Sequence, residues 1–191
     1  MSYGTLEEKE AGYKGTAAKL ITQYTKGAGF GMAPAITPGS LFTGRFEFQA
    51  VTDPKEQLKL TKFGISYTKK PLYFKGAFKY KAGDNFVDGS DKNDVKENTG
   101  DKDQCGIYAL LYEATNEKEE EVILDGNTIT NSEYRVAIAQ IKDGSDTEDK
   151  WVEFNEAFTY FEGKVYDSSK KYKMAIVCSS SKAGDSLEFN L

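Results

Sequence analysis

Residues 71 to 81, "PLYFKGAFKYK", repeat with a period of two. Leu72, Phe74, Gly76, Phe78 and Tyr80 fall on one side. Tyr73, Lys75, Ala77, Lys79 and Lys81 fall on the other. Successive side chains of an extended chain point to opposite faces, so the pattern predicts a strand with an apolar face inward and its lysines in water. Pro71 stands at the strand start, where its missing N–H is tolerated. Gly76 interrupts the apolar side, as a bulge or a close backbone approach would require. The same alternation marks "GRFEFQAV" (44–51), with Phe46 and Phe48 on one side. "CGIYALLYEA" (105–114) is apolar on both sides, which predicts a strand covered by two layers. "GTAAKLITQY" (15–24), "KLTKFGISY" (59–67), "EYRVAIAQI" (133–141), "KWVEFNEAFTYF" (150–161) and "KYKMAIVCSSS" (171–181) complete the strand-like set.

Turn-rich breaks separate these runs, among them "MAPAITPGS", "VTDPKEQ", "DGNTITNS" and "KDGSDTEDK". Short strands divided by Gly/Asp/Asn/Pro clusters predict an all-β sandwich or barrel. "NEKEEEV" (116–122) is charged but lacks an apolar stripe, so it reads as a hairpin or loop. The chain shows no internal repeat and no compositional boundary, so residues 1–191 read as one domain.

Composition narrows the function. A hydrophobic fraction of 39% with 12 Phe and 12 Tyr supports a real core. The net charge of −5 excludes a general nucleic-acid binder, because phosphate affinity needs an excess of Lys and Arg. The absence of histidine removes His-based acid/base work, Ser-His and Cys-His pairs and His-ligated zinc. Cys105 and Cys178 are the only cysteines; one disulfide and two buried thiols both fit. No run of 18 apolar residues exists, so no transmembrane span is expected.

Three features carry candidate chemistry. The loop 84–103 holds seven acidic residues and three lysines. Asp84, Asp88 and Asp91, with Asp94 and Asp103, offer oxygen ligands to a structural calcium ion, although the spacing is not that of an EF-hand and a solvated surface loop is the simpler reading. No other cofactor is expected. "GAGFG" (27–31) has the glycines of a phosphate loop without the Lys-Ser/Thr that should follow, so backbone freedom is the simpler use. The aromatics form the third feature. Trp151 is the single Trp, and Tyr73, Tyr108, Tyr112, Tyr134 and Tyr160 lie on predicted strands. A flat ring with a polar edge can stack on a sugar's C–H face, and the same rings also serve as core. Tyr108 and Tyr112 share a side of their strand. If Ala109 and Leu111 line the core, the two tyrosines face either a concave binding surface or a second layer of packing. A carboxylate pair for glycoside hydrolysis cannot be selected from 30 acidic residues by spacing alone.

Several blocks in order resemble the bacterial family called the putative carbohydrate metabolism domain. "AAKLITQYT" and "PGSLFTGRFEF" (38–48) are similar to its early strands. "FGISYTKKPLYFKGAFKYKAGD" (63–84) resembles its central block through Gly64, Tyr67, Lys70, Pro71, Gly76, Phe78, Lys79 and Tyr80. "DKDQCGIYALLYEA" (101–114) and "KYKMAIVCSSSKAGD" (171–185) are similar to its later blocks. One departure stands at the end: the family continues through a Gly-rich loop into a last strand, whereas here "KAGD" runs directly into "SLEFNL".

The resemblance implies a jelly-roll-type antiparallel β-sandwich, similar to carbohydrate-binding modules. It also implies the C-terminal domain of a longer surface protein of gut bacteria, lipid-anchored at the outer membrane or periplasmic. No catalytic residue comes with it. The function this implies is non-catalytic binding of a polysaccharide or oligosaccharide, with Tyr108, Tyr112 and Trp151 as candidate ligand-stacking residues. Two alternatives stand beside it: a structural or adhesion module that binds a protein partner in a surface assembly, and a carboxylate-based glycosidase.

Overall fold

A computed structural model describes residues 7–24, 36–51, 53–84, 86–88, 96–97 and 101–182. The 27–31 glycine stretch, Asp91, Asp94 and residues 183–191 lie outside them. In chain order the strands are β1 (Glu7–Ala11), β2 (Thr16–Lys19), β3 (Gln23–Tyr24), β4 (Ile36–Thr37), β5 (Ser40–Phe42), β6 (Gly44–Phe46), β7 (Thr61–Phe63) and β8 (Ile65–Tyr67). There follow β9 (Tyr73–Phe78), β10 (Val87–Asp88), β11 (Lys96–Glu97), β12 (Gly106–Glu113), β13 (Arg135–Gln140), β14 (Val152–Ala157), β15 (Thr159–Tyr160) and β16 (Tyr172–Ser179). Among the described residues the helix content is one turn, α1 (Pro54–Leu58). Pro54 opens it and the Asp53 carboxylate caps it, accepting from the Lys55 N–H at 2.8 Å.

The fold is all-β and its described pairings are antiparallel, as the alternating patterns predict. They form one six-stranded sheet, ordered β15-β13-β12-β16-β5 with β8 also on β16, and five two-stranded ribbons. These pairings do not by themselves trace a jelly-roll winding.

The doubly apolar β12 sits between β13 and β16 and is buried on both faces, the outcome its sequence predicts. On one face Tyr108, Leu110 and Tyr112 join Ile138, Ala175 and Val177. Val122, Leu124 and Ile129, from the connection that follows β12, and Phe63 of β7 cover them. On the other face Ala109, Leu111, Val136 and Met174 pack against Phe74 of β9, Phe158 and Tyr166. Burying a Leu such as Leu110 or Leu111 contributes about 1.5–3 kcal/mol. These layers make the sandwich. Residues 116–120 form the tight turn expected of "NEKEEEV": the Asn116 side-chain oxygen accepts from the Lys118 and Glu120 N–H groups, both at 2.9 Å.

The β9–β14 ribbon supplies the outer layer over that second face. Its inward side is a ring cluster, with Phe154 5.0 Å from Phe74 and 6.3 Å from Phe78. Gly76 stands directly opposite Phe154 in an unbroken register. A Cβ at Gly76 would lie 2.6 Å from the Phe154 ring, so close approach, not a bulge, explains this glycine. Leu72 corrects the sequence reading: it is 64% exposed, not core. It precedes the ladder, where its carbonyl accepts from the Phe158 N–H at 3.0 Å, and Pro71 is the buried neighbour. Lys75, Lys79 and Lys81 are exposed, as expected.

On its other side β16 has two short partners. β8 pairs with Tyr172 to Met174, and β5 pairs with Val177 to Ser179. Thr43 bridges the interval. Its hydroxyl accepts from the Ile176 N–H at 2.8 Å and donates to the Met174 carbonyl at 3.0 Å. Its own N–H donates to the Ile176 carbonyl at 2.9 Å.

Candidate functional site

The tyrosines of β12 are the first candidates to place. Tyr108 is 7% exposed and Tyr112 is fully buried. The second of the two readings of their face holds: it is packing, not a concave surface. The Val122–Ile129 cover creates that packing, and both residues are thereby corrected as ligand contacts. The Tyr112 hydroxyl donates to the Phe63 carbonyl at 2.5 Å. Burial pushes the Tyr112 phenol up to about 12 and raises that of Tyr108 as well. Beside Tyr112 runs Gly64, with φ +94; a Cβ there would lie 2.7 Å from the Tyr112 hydroxyl oxygen.

Trp151 is different. It lies just before β14, half-buried, on the ribbon's outward side. The register pairs Tyr73 with Ala157, Lys75 with Asn155, Ala77 with Glu153 and Phe78 with Val152. One step further places Trp151 level with Lys79, whose ammonium is 6.0 Å from the indole centroid. The outward side therefore carries Tyr73, Lys75 and Lys79 from β9 and its end. From β14 and its start it carries Asn155, Glu153 and Trp151. From Tyr73 to the level of Trp151 this face rises about 20 Å, at ~3.4 Å per residue.

A third element completes the face. Tyr13, in the turn between β1 and β2, is 46% exposed and stands 6.3 Å from Trp151, with ring planes tilted by 49°. A hydrogen bond with the Glu153 carboxylate, whose charge acts in the same direction, raises the Tyr13 phenol above its ordinary value. At the far end Tyr73 is 59% exposed, with the Lys75 ammonium 5.5 Å from its ring centre. Lys79 pairs with Asp149 at 2.8 Å, which holds that carboxyl below its usual range. The result is a strip with accessible rings at both ends and amide, carboxylate and ammonium groups between. Sequence reading found Trp151 and noted Tyr73. It missed Tyr13, whose only local signal is a Tyr-Lys-Gly turn.

Asp84 is exposed, Asp88 lies on β10 opposite Lys96, and Asp91 is outside the described residues. Among the described residues no group of three or more Cys, Asp or Glu is placed to hold a metal ion. A half-open depression of about 340 Å³ lies beside α1, rimmed by Phe48 and by Glu47 and Glu56. Each of those acids is held by a cation, Glu47 by Arg45 at 2.8 Å and Glu56 by Lys59 at 2.6 Å. Among the described residues the carboxyl groups with a clear shift, Glu121, Asp143, Asp149 and Asp167, all move down, through hydrogen bonds to neighbouring donors. A glycosidase's general acid needs the opposite shift. Cys105 and Cys178 are both free thiols. Burial pushes Cys105 up to about 12, which keeps it protonated and unreactive at neutral pH. Among the described residues no helix is long and apolar enough to cross a membrane.

Comparison with known proteins places this geometry. The chain is 36% identical to a structure described as a "putative glycoside hydrolase" from Bacteroides thetaiotaomicron, with TM-score 0.79 over 95% of this chain and 51% of that one. A second, described in the same words and from Bacteroides vulgatus, is 33% identical, with TM-score 0.74 over 95% of this chain and 70% of that one. The chain thus spans about half the length of the first. Comparison with curated proteins finds no match. The profile of one family covers residues 1–189, the blocks around Gly64, Gly76 and β12 included. By that span, the chain belongs to the family described as the putative carbohydrate metabolism domain.

Proposed function

We propose that the outward face of the β9–β14 ribbon binds a glycan, and that the domain does so as a non-catalytic module of an extracytoplasmic surface protein. One observation carries this reading: Tyr13 and Tyr73 are exposed and Trp151 is half-buried along one face, spaced by Lys75, Asn155 and Glu153. A ring takes the C–H face of a sugar, and the amide and charged groups take its hydroxyls. The strip is about 20 Å long, which suits several linked sugar units better than one. Membership of a carbohydrate-metabolism family supports the ligand class.

The test is retention on immobilised polysaccharides by affinity electrophoresis. Trp151→Ala and Tyr73→Ala are each expected to weaken retention at least tenfold, since covering a ring of this size contributes about 1.5–3 kcal/mol. Retention unchanged in both variants, at unchanged melting temperature, removes the strip as the site.

A second reading has its own observation. Phe46 is 57% and Phe48 82% exposed, apolar surface suited to a protein partner in a surface assembly. Substituting both with Ser leaves glycan retention intact under the first reading and abolishes partner capture under the second.

A further inference from the structure

We infer that the glycan taken by this strip is anionic, carrying uronate or sulfate groups along its length; the inference rests on the strip being the site. The chain is acidic overall, at −5, yet residues 69–81 hold five lysines and no acid. The structure turns part of that charge onto the ring-bearing face. Each accessible ring has an ammonium at its edge or over its plane: Lys75 at 5.5 Å from Tyr73, Lys79 at 6.0 Å from Trp151 and Lys14 at 5.6 Å from Tyr13.

These ammonium groups differ in how far the protein itself neutralises them. Lys79 has Asp149. Lys75 has Asn155 across the ladder, an amide, so the ribbon places no carboxylate opposite it. Glu153, opposite Ala77, is the carboxylate that β14 itself places on this face. A cation over an exposed ring gains only about 0.5–1 kcal/mol. A sugar that stacks on Tyr73 therefore displaces the Lys75 ammonium at small cost. A neutral sugar leaves that ammonium to water. An acidic sugar offers it a carboxylate or sulfate within reach of its flexible stem, one exchange at each end of the strip. Rings and cations are interleaved at a spacing that a linear polyanion can follow, so acidic chains gain twice where neutral ones gain once.

The experiment compares polygalacturonate, chondroitin sulfate, neutral mannan and polyglutamate as immobilised or competing ligands. Wild type is compared with Trp151→Ala and with the double variant Lys14→Gln/Lys75→Gln, all checked for an unchanged melting temperature. Wild type is expected to prefer polygalacturonate or chondroitin sulfate over mannan, with retention that falls as salt rises. The double lysine variant should lose roughly fivefold on the acidic glycans, as two partly exposed ion pairs would, and nothing on mannan. Binding to only one of the two acidic glycans supports the inference and names the anionic group. Equal retention of mannan and the acidic glycans, or no effect of the lysine changes while Trp151→Ala still weakens binding, overturns the inference and leaves the site standing. Polyglutamate bound as well as the acidic glycans overturns it too, by showing bare charge attraction. No retention on any glycan overturns the site reading itself.

Discussion

Replacing Gly64 by Ala should be among the most damaging single changes in this domain, and the structure says by how much. Two costs combine there. The backbone has φ +94, a region that L side chains rarely adopt. An L residue in left-handed backbone costs about 1–2 kcal/mol. The new methyl would also meet the Tyr112 ring, 2.7 Å from its hydroxyl oxygen and 2.8 Å from a ring carbon. Tyr112 is fully buried and anchored to the Phe63 carbonyl, so it cannot swing aside; overpacking of this kind costs about 1–3 kcal/mol. The sum is about 2–5 kcal/mol. Two other glycines separate the terms. Gly163 has φ +70 and nothing within 4 Å of a Cβ, so Gly163→Ala reports the backbone cost alone. Gly76 lacks the positive φ and meets only the half-buried Phe154 ring, which can give way. Urea unfolding at constant m-value is the assay. The expected order of destabilisation puts Gly64→Ala first, at least about 1 kcal/mol beyond Gly163→Ala. A Gly64→Ala protein no weaker than Gly163→Ala refutes the claim that the Tyr112 ring dictates this glycine.

Three further outcomes follow from the same packing. Thr43→Val should cost about 1–3 kcal/mol in urea unfolding, because the Ile176 N–H loses its acceptor, and Thr43→Ser should recover most of it. Stability should fall between pH 9 and 12: the buried Cys105 and Tyr112 have pKa values raised from 9.0 and 10.0 to about 12 in the fold, so above the unfolded values the unfolded state releases protons that the native state keeps. A urea midpoint that stays flat to pH 12 contradicts this burial. A chelator should leave the melting temperature unchanged if the 84–103 loop is solvated; a drop that calcium restores would place a structural ion there.

How much of this was legible in the sequence depends on the range of the interaction. The two-sided burial of β12 was legible because every residue of "IYALL" is apolar or aromatic, and only a strand with two covers tolerates that. Gly76 was legible as a special position because a glycine broke an otherwise regular apolar face, but whether a bulge or a close approach required it was not, since the ring that comes close belongs to Phe154 on another strand. The fate of Tyr108 and Tyr112 was not. Dyad alternation tells which residues share a face but not whether another segment covers it, and here the cover is a non-strand connection whose Val122, Leu124 and Ile129 follow no period. The candidate strip was half legible for the same reason. Lys75, Lys79 and Tyr73 share a face by local pattern. Their partners Trp151 and Tyr13 arrive from distant segments, through a register and a turn that no local rule sets.

The Thr43 joint has a consequence for how the domain meets its neighbours. A long free strand offers an unbroken row of amides and carbonyls on which another polypeptide can grow by ladder addition. Here that flank of β16 is split between two three-residue pieces, with a threonine hydroxyl standing in for the missing backbone between them. An incoming segment finds no continuous template there. At high local concentration, copies of this domain are thereby discouraged from recruiting one another along that flank, and contacts fall to side-chain faces such as the ring-and-lysine strip.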